Sequence, residues 1–140
     1  MTVLYTAEVA SSGDGRKGRV SSSDGVLELE LDAPKEVGGS GERTNPEQLF
    51  AAGYAACFHS ALRLSAREAR VPLDAEPVVT ARVHLERDDS GYGISADLTV
   101  RMPGVAEETA RELADRAHAR CPYSRAVRGN VRVGIEVVAG

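Results

Sequence analysis

Two side chains in this sequence can act as nucleophile or redox centre without a cofactor: Cys57 and Cys121. A cysteine thiolate attacks electrophilic oxygen or sulfur, and a second thiol within reach turns the oxidised sulfur into a disulfide. The alternative role for either is that of a small apolar core residue, the ordinary fate of a free cysteine among alanines. The pair argues for chemistry because both fall on the core-facing sides of the two helices that the sequence predicts. If those helices pack together, the sulfurs come within disulfide reach, which needs Cα atoms roughly 4.4 to 6.8 Å apart.

Apolar surroundings raise a thiol pKa and keep it inert, so a reactive Cys57 needs a cation beside it. Arg16, within Gly13-Asp14-Gly15-Arg16-Lys17-Gly18-Arg19, is the first candidate, Arg19 the second and Arg125 the third. A guanidinium can hold a thiolate and then steady the charge on a departing oxyanion. An arginine in a turn is otherwise simply solvated. Glu47 can orient such an arginine through a two-pronged contact. Its spacing from Thr44 also fits a capping box, and the two roles are compatible.

Metal and phosphate chemistry fit less well. Cys57 with His59, and His118 with Cys121, offer Cys and His ligands that zinc accepts. On an ideal helix, however, Cys57 and His59 point ~200° apart and cannot converge on one ion without distortion. No metal is expected. The glycines Gly38, Gly39 and Gly41 lack the Gly-Lys-Ser/Thr ending of a phosphate loop and read as an ordinary connection. His84 reads as a polar-face strand residue, and no Ser-His-Asp ordering stands out.

The elements that position these residues follow from periodicity. Strand signals run from Val3–Val9 to the alternating Val26–Leu31, with a Gly- and Ser-rich turn between. Thr44-Asn45-Pro46-Glu47 is a helix start, and the helix continues through Cys57 to about Arg70, where Pro72 stops it. Its first half is apolar on every side; Arg63, Arg67, Glu68 and Arg70 make its second half amphipathic. Val78–Arg87 and Ile94–Arg101 alternate about Asp88-Asp89-Ser90-Gly91 as an antiparallel hairpin. A second helix carries Ala106, Ala110, Leu113, Ala117 and Cys121 on one stripe. Pro122 disfavours helix at Cys121, which places the second thiol in irregular chain with room to move. Arg128-Gly129-Asn130 turns into a last strand, Val131–Val137. The predicted fold is α+β: two central helices packed against largely antiparallel sheet, in a single domain over residues 1–140.

Composition narrows the partners. Seventeen Lys and Arg against 21 Asp and Glu give a net charge of -4, with no basic run to track a phosphate backbone, so nucleic acid is not expected. No stretch approaches ~20 apolar residues, so no membrane partner is expected. The start Met1–Glu8 lacks the basic and apolar regions of a signal peptide. A cytoplasmic location is the expectation.

Thr44-Asn45-Pro46-Glu47-Gln48-Leu49-Phe50-Ala51-Ala52-Gly53-Tyr54-Ala55-Ala56-Cys57-Phe58 and Cys121-Pro122-Tyr123-Ser124-Arg125-Ala126-Val127-Arg128-Gly129-Asn130 closely resemble the two signature segments of Ohr, the organic hydroperoxide resistance proteins of the OsmC/Ohr superfamily. Val3-Leu4-Tyr5-Thr6-Ala7 and Ser22-Ser23-Asp24-Gly25-Val26-Leu27 extend the likeness over nearly the whole chain. The resemblance implies an organic hydroperoxide reductase, a cysteine-based peroxidase that detoxifies organic hydroperoxides. Cys57 matches the peroxidatic cysteine, Cys121 the resolving one, Arg16 the arginine and Glu47 the carboxylate that holds it. Lys17 follows Arg16 where the family commonly has an acidic residue, and Arg19 is close enough to compete. The implied cycle runs through a Cys57 sulfenic acid and a Cys57–Cys121 disulfide. It binds no cofactor and is reset by an external dithiol, dihydrolipoamide or a lipoylated protein.

Glu47 and Cys57 are ten residues apart on one helix, about 15 Å along its axis, too far to share a compact site within one copy. The apolar, small-residue first half of that helix also exceeds what one sheet and one helix would cover. We therefore expect an intertwined homodimer with sites at its interface, as the resemblance also implies. Two other readings use the same residues. A non-catalytic redox sensor predicts oxidation without turnover, and a structural protein with inert core cysteines predicts slow labelling of Cys57.

Overall fold

The computed structural model describes residues 1–138, which form two compact units, residues 1–49 and residue 50 onward. The expected single domain over residues 1–140 extends beyond the described residues.

In the first unit, β1 (Val9–Ser12), β2 (Arg19–Ser22) and β3 (Glu28–Glu30) form an antiparallel sheet in that order. The register runs Val9↔Ser22 to Ser12↔Arg19 and Arg19↔Glu30 to Ser21↔Glu28. A tight turn joins β1 to β2. Gly18 is required there, because a Cβ at that position would lie 2.1 Å from the Ser12 carbonyl oxygen.

Two sequence expectations need correction in this unit. Residues 3–8 contribute no strand, and the expected Gly- and Ser-rich turn contains β2. Strand alternation stabilises only when a partner strand supplies the ladder, and residues 3–8 find none among the described residues. Conversely β2 has a single large apolar residue, Val20, too few to show a period. Val3, Leu4 and Tyr5 stay exposed, Leu4 at 94% and Tyr5 at 78%.

The helix α1 (Pro46–Glu68) starts where the sequence places it. Asn45, buried, accepts the Gln48 backbone N–H at 2.8 Å and is the cap, while the Thr44 hydroxyl bonds the Gln48 side chain at 2.9 Å. Glu47 is thereby left out of the cap. Farther along, Tyr54, Phe58, Leu62 and Ala66 are buried at helical spacing, whereas Ala52, Ala56 and Ser60 remain exposed. The helix ends with Arg70 in the left-handed region (φ 58°) and the Val71 N–H on the Ala66 carbonyl at 2.9 Å.

The second unit is built on the hairpin of β4 (Val78–Asp88) and β5 (Gly91–Arg101), paired from Val78↔Arg101 to Asp88↔Gly91. The helices α2 (Glu107–Arg120) and α3 (Pro122–Val127) follow, and then β6 (Val133–Val138). Here β6 runs parallel to β5, from Ala96↔Val133 to Arg101↔Val138. A parallel neighbour needs a crossover connection, and α2 with α3 supply it. Phe58, Leu62 and Ala66 of α1, Leu98 and Val100 of β5, and Ala110, Leu113 and Ala117 of α2 belong to one buried cluster. Full burial of a large aliphatic or aromatic side chain stabilises by about 1.5–3 kcal/mol. No helix among the described residues is long and apolar enough to cross a membrane.

Candidate functional site

The first unit holds the charged pair. Arg16 sits in a one-turn helix, Gly15–Lys17, bracketed by Gly13 and Gly15 at positive φ. Its guanidinium grips Glu47 with both prongs, Nη1 to Oε2 at 3.0 Å and Nη2 to Oε1 at 2.8 Å. Glu47 is largely buried, with 15% of its side chain exposed, and Arg16 lowers its carboxyl pKa, so it is anionic near neutrality. Arg19, the competing arginine, is taken up by Glu28 at 2.8 Å. Arg125 lies exposed on α3. Of the three arginines, Arg16 is thus the one held by Glu47.

The second unit holds both thiols. Cys57, half-buried in α1, and Cys121, buried at 0% exposure between α2 and α3, are both free, and Cys121 lies near enough to bear on the ionisation of Cys57. Burial raises the Cys57 pKa most, and Cys121 raises it further by favouring the protonated form; the Tyr123 backbone works the other way. Within the second unit, burial and Cys121 thus oppose ionisation of Cys57, and the Tyr123 backbone works against them.

Cys121 is also less free than its Pro122 neighbour suggested. Its N–H bonds the Ala117 carbonyl at 2.8 Å, closing α2, and its carbonyl accepts the Arg125 N–H at 2.9 Å, opening α3. Pro122 ends one helix and occupies the first turn of the next, where its missing N–H costs nothing. One turn on, the Ser124 hydroxyl lies 2.7 Å from the Tyr54 hydroxyl and 2.9 Å from His118 Nδ1. A neutral imidazole accepts from Ser124 while Ser124 accepts from Tyr54, which satisfies the buried group. Phe50, Tyr54 and Tyr123 stack edge-on or tilted alongside, with centroids 5.7 to 6.3 Å apart.

The sequence reading missed this Tyr54–Ser124–His118 chain and named His118 only as a possible metal ligand beside Cys121. The signal was Ser124 at i+3 from Cys121, legible only once Pro122 is read as a helix start. His59 Nε2 is buried without a hydrogen-bond partner among the described residues. No group of three His, Cys, Asp or Glu side chains suited to a metal comes together among the described residues.

Burial, with Arg128 nearby, lowers the His118 pKa from 6.5, so folding favours the neutral ring. That stabilisation is complete above the unfolded value and is lost as pH falls through the folded one. Urea midpoints measured from about pH 8 to about pH 5 should therefore fall on the acid side, and His118→Gln should flatten that fall. An identical slope in the variant would contradict the assignment.

A family model described as an OsmC-like protein matches residues 39–136. The chain belongs to the OsmC/Ohr family. Among OsmC/Ohr relatives, the organic hydroperoxide resistance protein OhrA of Bacillus subtilis is 49% identical over 138 residues, 96% of this chain and 96% of that one. The organic hydroperoxide resistance protein of Xanthomonas axonopodis pv. citri is 45% identical over 132 residues, 94% of this chain and 92% of that one. A crystal structure of an organic hydroperoxide resistance protein from Elizabethkingia anophelis, with crystallant-derived thiocyanate bound, matches at a TM-score of 0.94 and 44% identity, covering 100% of both chains. The mixed α/β chain with two sheets has the OsmC/Ohr fold that the signature segments implied.

Proposed function

We propose that the chain is a thiol peroxidase that reduces organic hydroperoxides to alcohols. The observation that carries this reading is the pair itself: two neighbouring free thiols, one half-exposed on a helix, the other buried at a helix junction. The names of the relatives agree in substrate class. Cys57 thiolate attacks the distal peroxide oxygen; the O–O bond breaks, the alkoxide takes a proton and leaves as alcohol, and Cys57 becomes a sulfenic acid. Cys121 then attacks that sulfur, water leaves, and a Cys57–Cys121 disulfide forms. Two thiols of a lipoyl-type dithiol reduce it and are themselves oxidised to the cyclic disulfide.

The active form is a homodimer in which Arg16, held by Glu47, serves Cys57 of the other copy. Three observations support this. Burial and Cys121 raise the Cys57 pKa within one chain, so the thiolate needs a cation from elsewhere. The Ala52–Ala56–Ser60 side of α1 and the apolar Val3, Leu4 and Tyr5 are uncovered in one chain. Glu47 and Cys57 are separated by about 15 Å of helix. The partly exposed aromatic ring of Phe50 offers an apolar wall for the organic tail, favouring alkyl over hydrogen peroxide. The cell compartment we assign is the cytoplasm, where a dithiol pool is at hand.

The test is cumene hydroperoxide consumption by purified, reduced protein with dihydrolipoamide. The expected result is catalytic turnover, with one alcohol formed and one dithiol oxidised per peroxide. Folded, reduced protein that leaves the peroxide level unchanged would overturn the reading.

A further inference from the structure

Gly53 lies in the interior of α1 between Ala51-Ala52 and Tyr54-Ala55-Ala56. Glycine there destabilises a helix relative to alanine, the residue that surrounds it. The reason stands against its Cα. A Cβ at Gly53 would lie 2.4 Å from the Tyr123 hydroxyl oxygen, 2.9 Å from its Cζ and 3.2 Å from its Cε2, so the edge of the ring fills the space. The ring is flanked by Phe50 and Tyr54, at centroid distances of 6.1 and 5.7 Å, and is 37% exposed. Its backbone lowers the Cys57 pKa against the effect of burial, and it stands two residues after Cys121.

Building on the proposed disulfide cycle, we propose that Gly53 is a positioning residue for the resolving step. By leaving a notch in α1, it seats the Tyr123 ring and so holds the Cys121-Pro122-Tyr123 turn where Cys121 reaches the Cys57 sulfenic acid. Gly53 touches neither thiol chemistry nor peroxide; it acts through Tyr123. A Cβ lifts the ring, the turn moves with it, and the sulfurs separate. Attack on a sulfenic sulfur needs a near-attack geometry, and a displacement of about 1 Å can cost up to a hundredfold.

The experiment is a single turnover: reduced protein, one equivalent of cumene hydroperoxide and no dithiol, with quenched samples counted by mass spectrometry. Dimedone reports the sulfenic acid, and the loss of free thiols reports the disulfide. Gly53→Ala should slow disulfide formation by about tenfold or more, while the first oxidation changes by less than about threefold. The sulfenic acid then accumulates as its dimedone adduct. In a Tyr123→Ala background the same Gly53→Ala change should cost less than about twofold, because the clash is gone. If Gly53→Ala alone does not fold, the double variant and Tyr123→Ala remain, and Tyr123→Ala should itself slow the disulfide step through the empty notch. An unchanged disulfide rate in Gly53→Ala, an equal penalty in both backgrounds, or an unchanged rate in Tyr123→Ala would overturn the assignment. A wild-type protein that is oxidised without forming the Cys57–Cys121 disulfide would instead overturn the proposed cycle.

Discussion

Cys57→Ser is expected to remove hydroperoxide consumption altogether, a loss of at least about a thousandfold in rate. A serine hydroxyl fills nearly the same volume but does not ionise near neutrality, and its oxygen has no stable sulfenic counterpart. Cys121→Ser should behave differently. Its Cys57 retains the first step, so each subunit consumes about one equivalent of peroxide in a burst and then stalls with a lipoyl dithiol as reductant. Stopped-time measurement of residual cumene hydroperoxide distinguishes the two: no burst in the first variant, a burst without turnover in the second. A Cys57→Ser protein that still turns over would dismiss Cys57 as the attacking thiol. Continued turnover in Cys121→Ser would dismiss the resolving role.

The second large effect concerns the shared site. Glu47→Ala releases the two-pronged hold on Arg16, and Cys57→Ala removes the nucleophile, so each homodimer should be crippled. Mixed after unfolding and refolding, they should recover. A heterodimer carries one site in which intact Cys57 from one copy meets intact Glu47 from the other, and a second site lacking both. Random pairing makes half the dimers mixed, so activity should return to roughly one quarter of wild type per dimer. A verified heterodimer with no more activity than its parents would show that each site is built within one chain.

How much was legible beforehand depends on which signals are local. The α1 start was, because Asn45 and Pro46 act within one turn, and so was the β4–β5 hairpin, whose alternation and Asp88–Gly91 turn are contiguous. The Arg16–Glu47 contact was readable as a candidate among alternatives, since only geometry shows Arg19 taken by Glu28 and Asn45 taking the cap. Three things were not legible. Residues 3–8 carry strand signals but find no ladder among the described residues. The parallel sense of β6 depends on which edge of the hairpin is left for it after the crossover. Ser124 between Tyr54 and His118 joins residues from separate elements, and no period reports such a meeting. The Cys57 pKa is a mixed case: the apolar stretch around it foretold that burial would raise it, but the balance of desolvation against charge is a property of the assembled surroundings.

The parallel pairing of β6 beside β5 shapes how the second thiol can travel. Everything between those strands, α2, Cys121 and α3 included, is a handle riveted at both ends to neighbouring planks of one floor. Such a handle can flex at its middle but cannot swing away. In the proposed cycle, opening and closing a covalent link at Cys121 is then a matter of local give near the helix junction, while the floor beneath stays still.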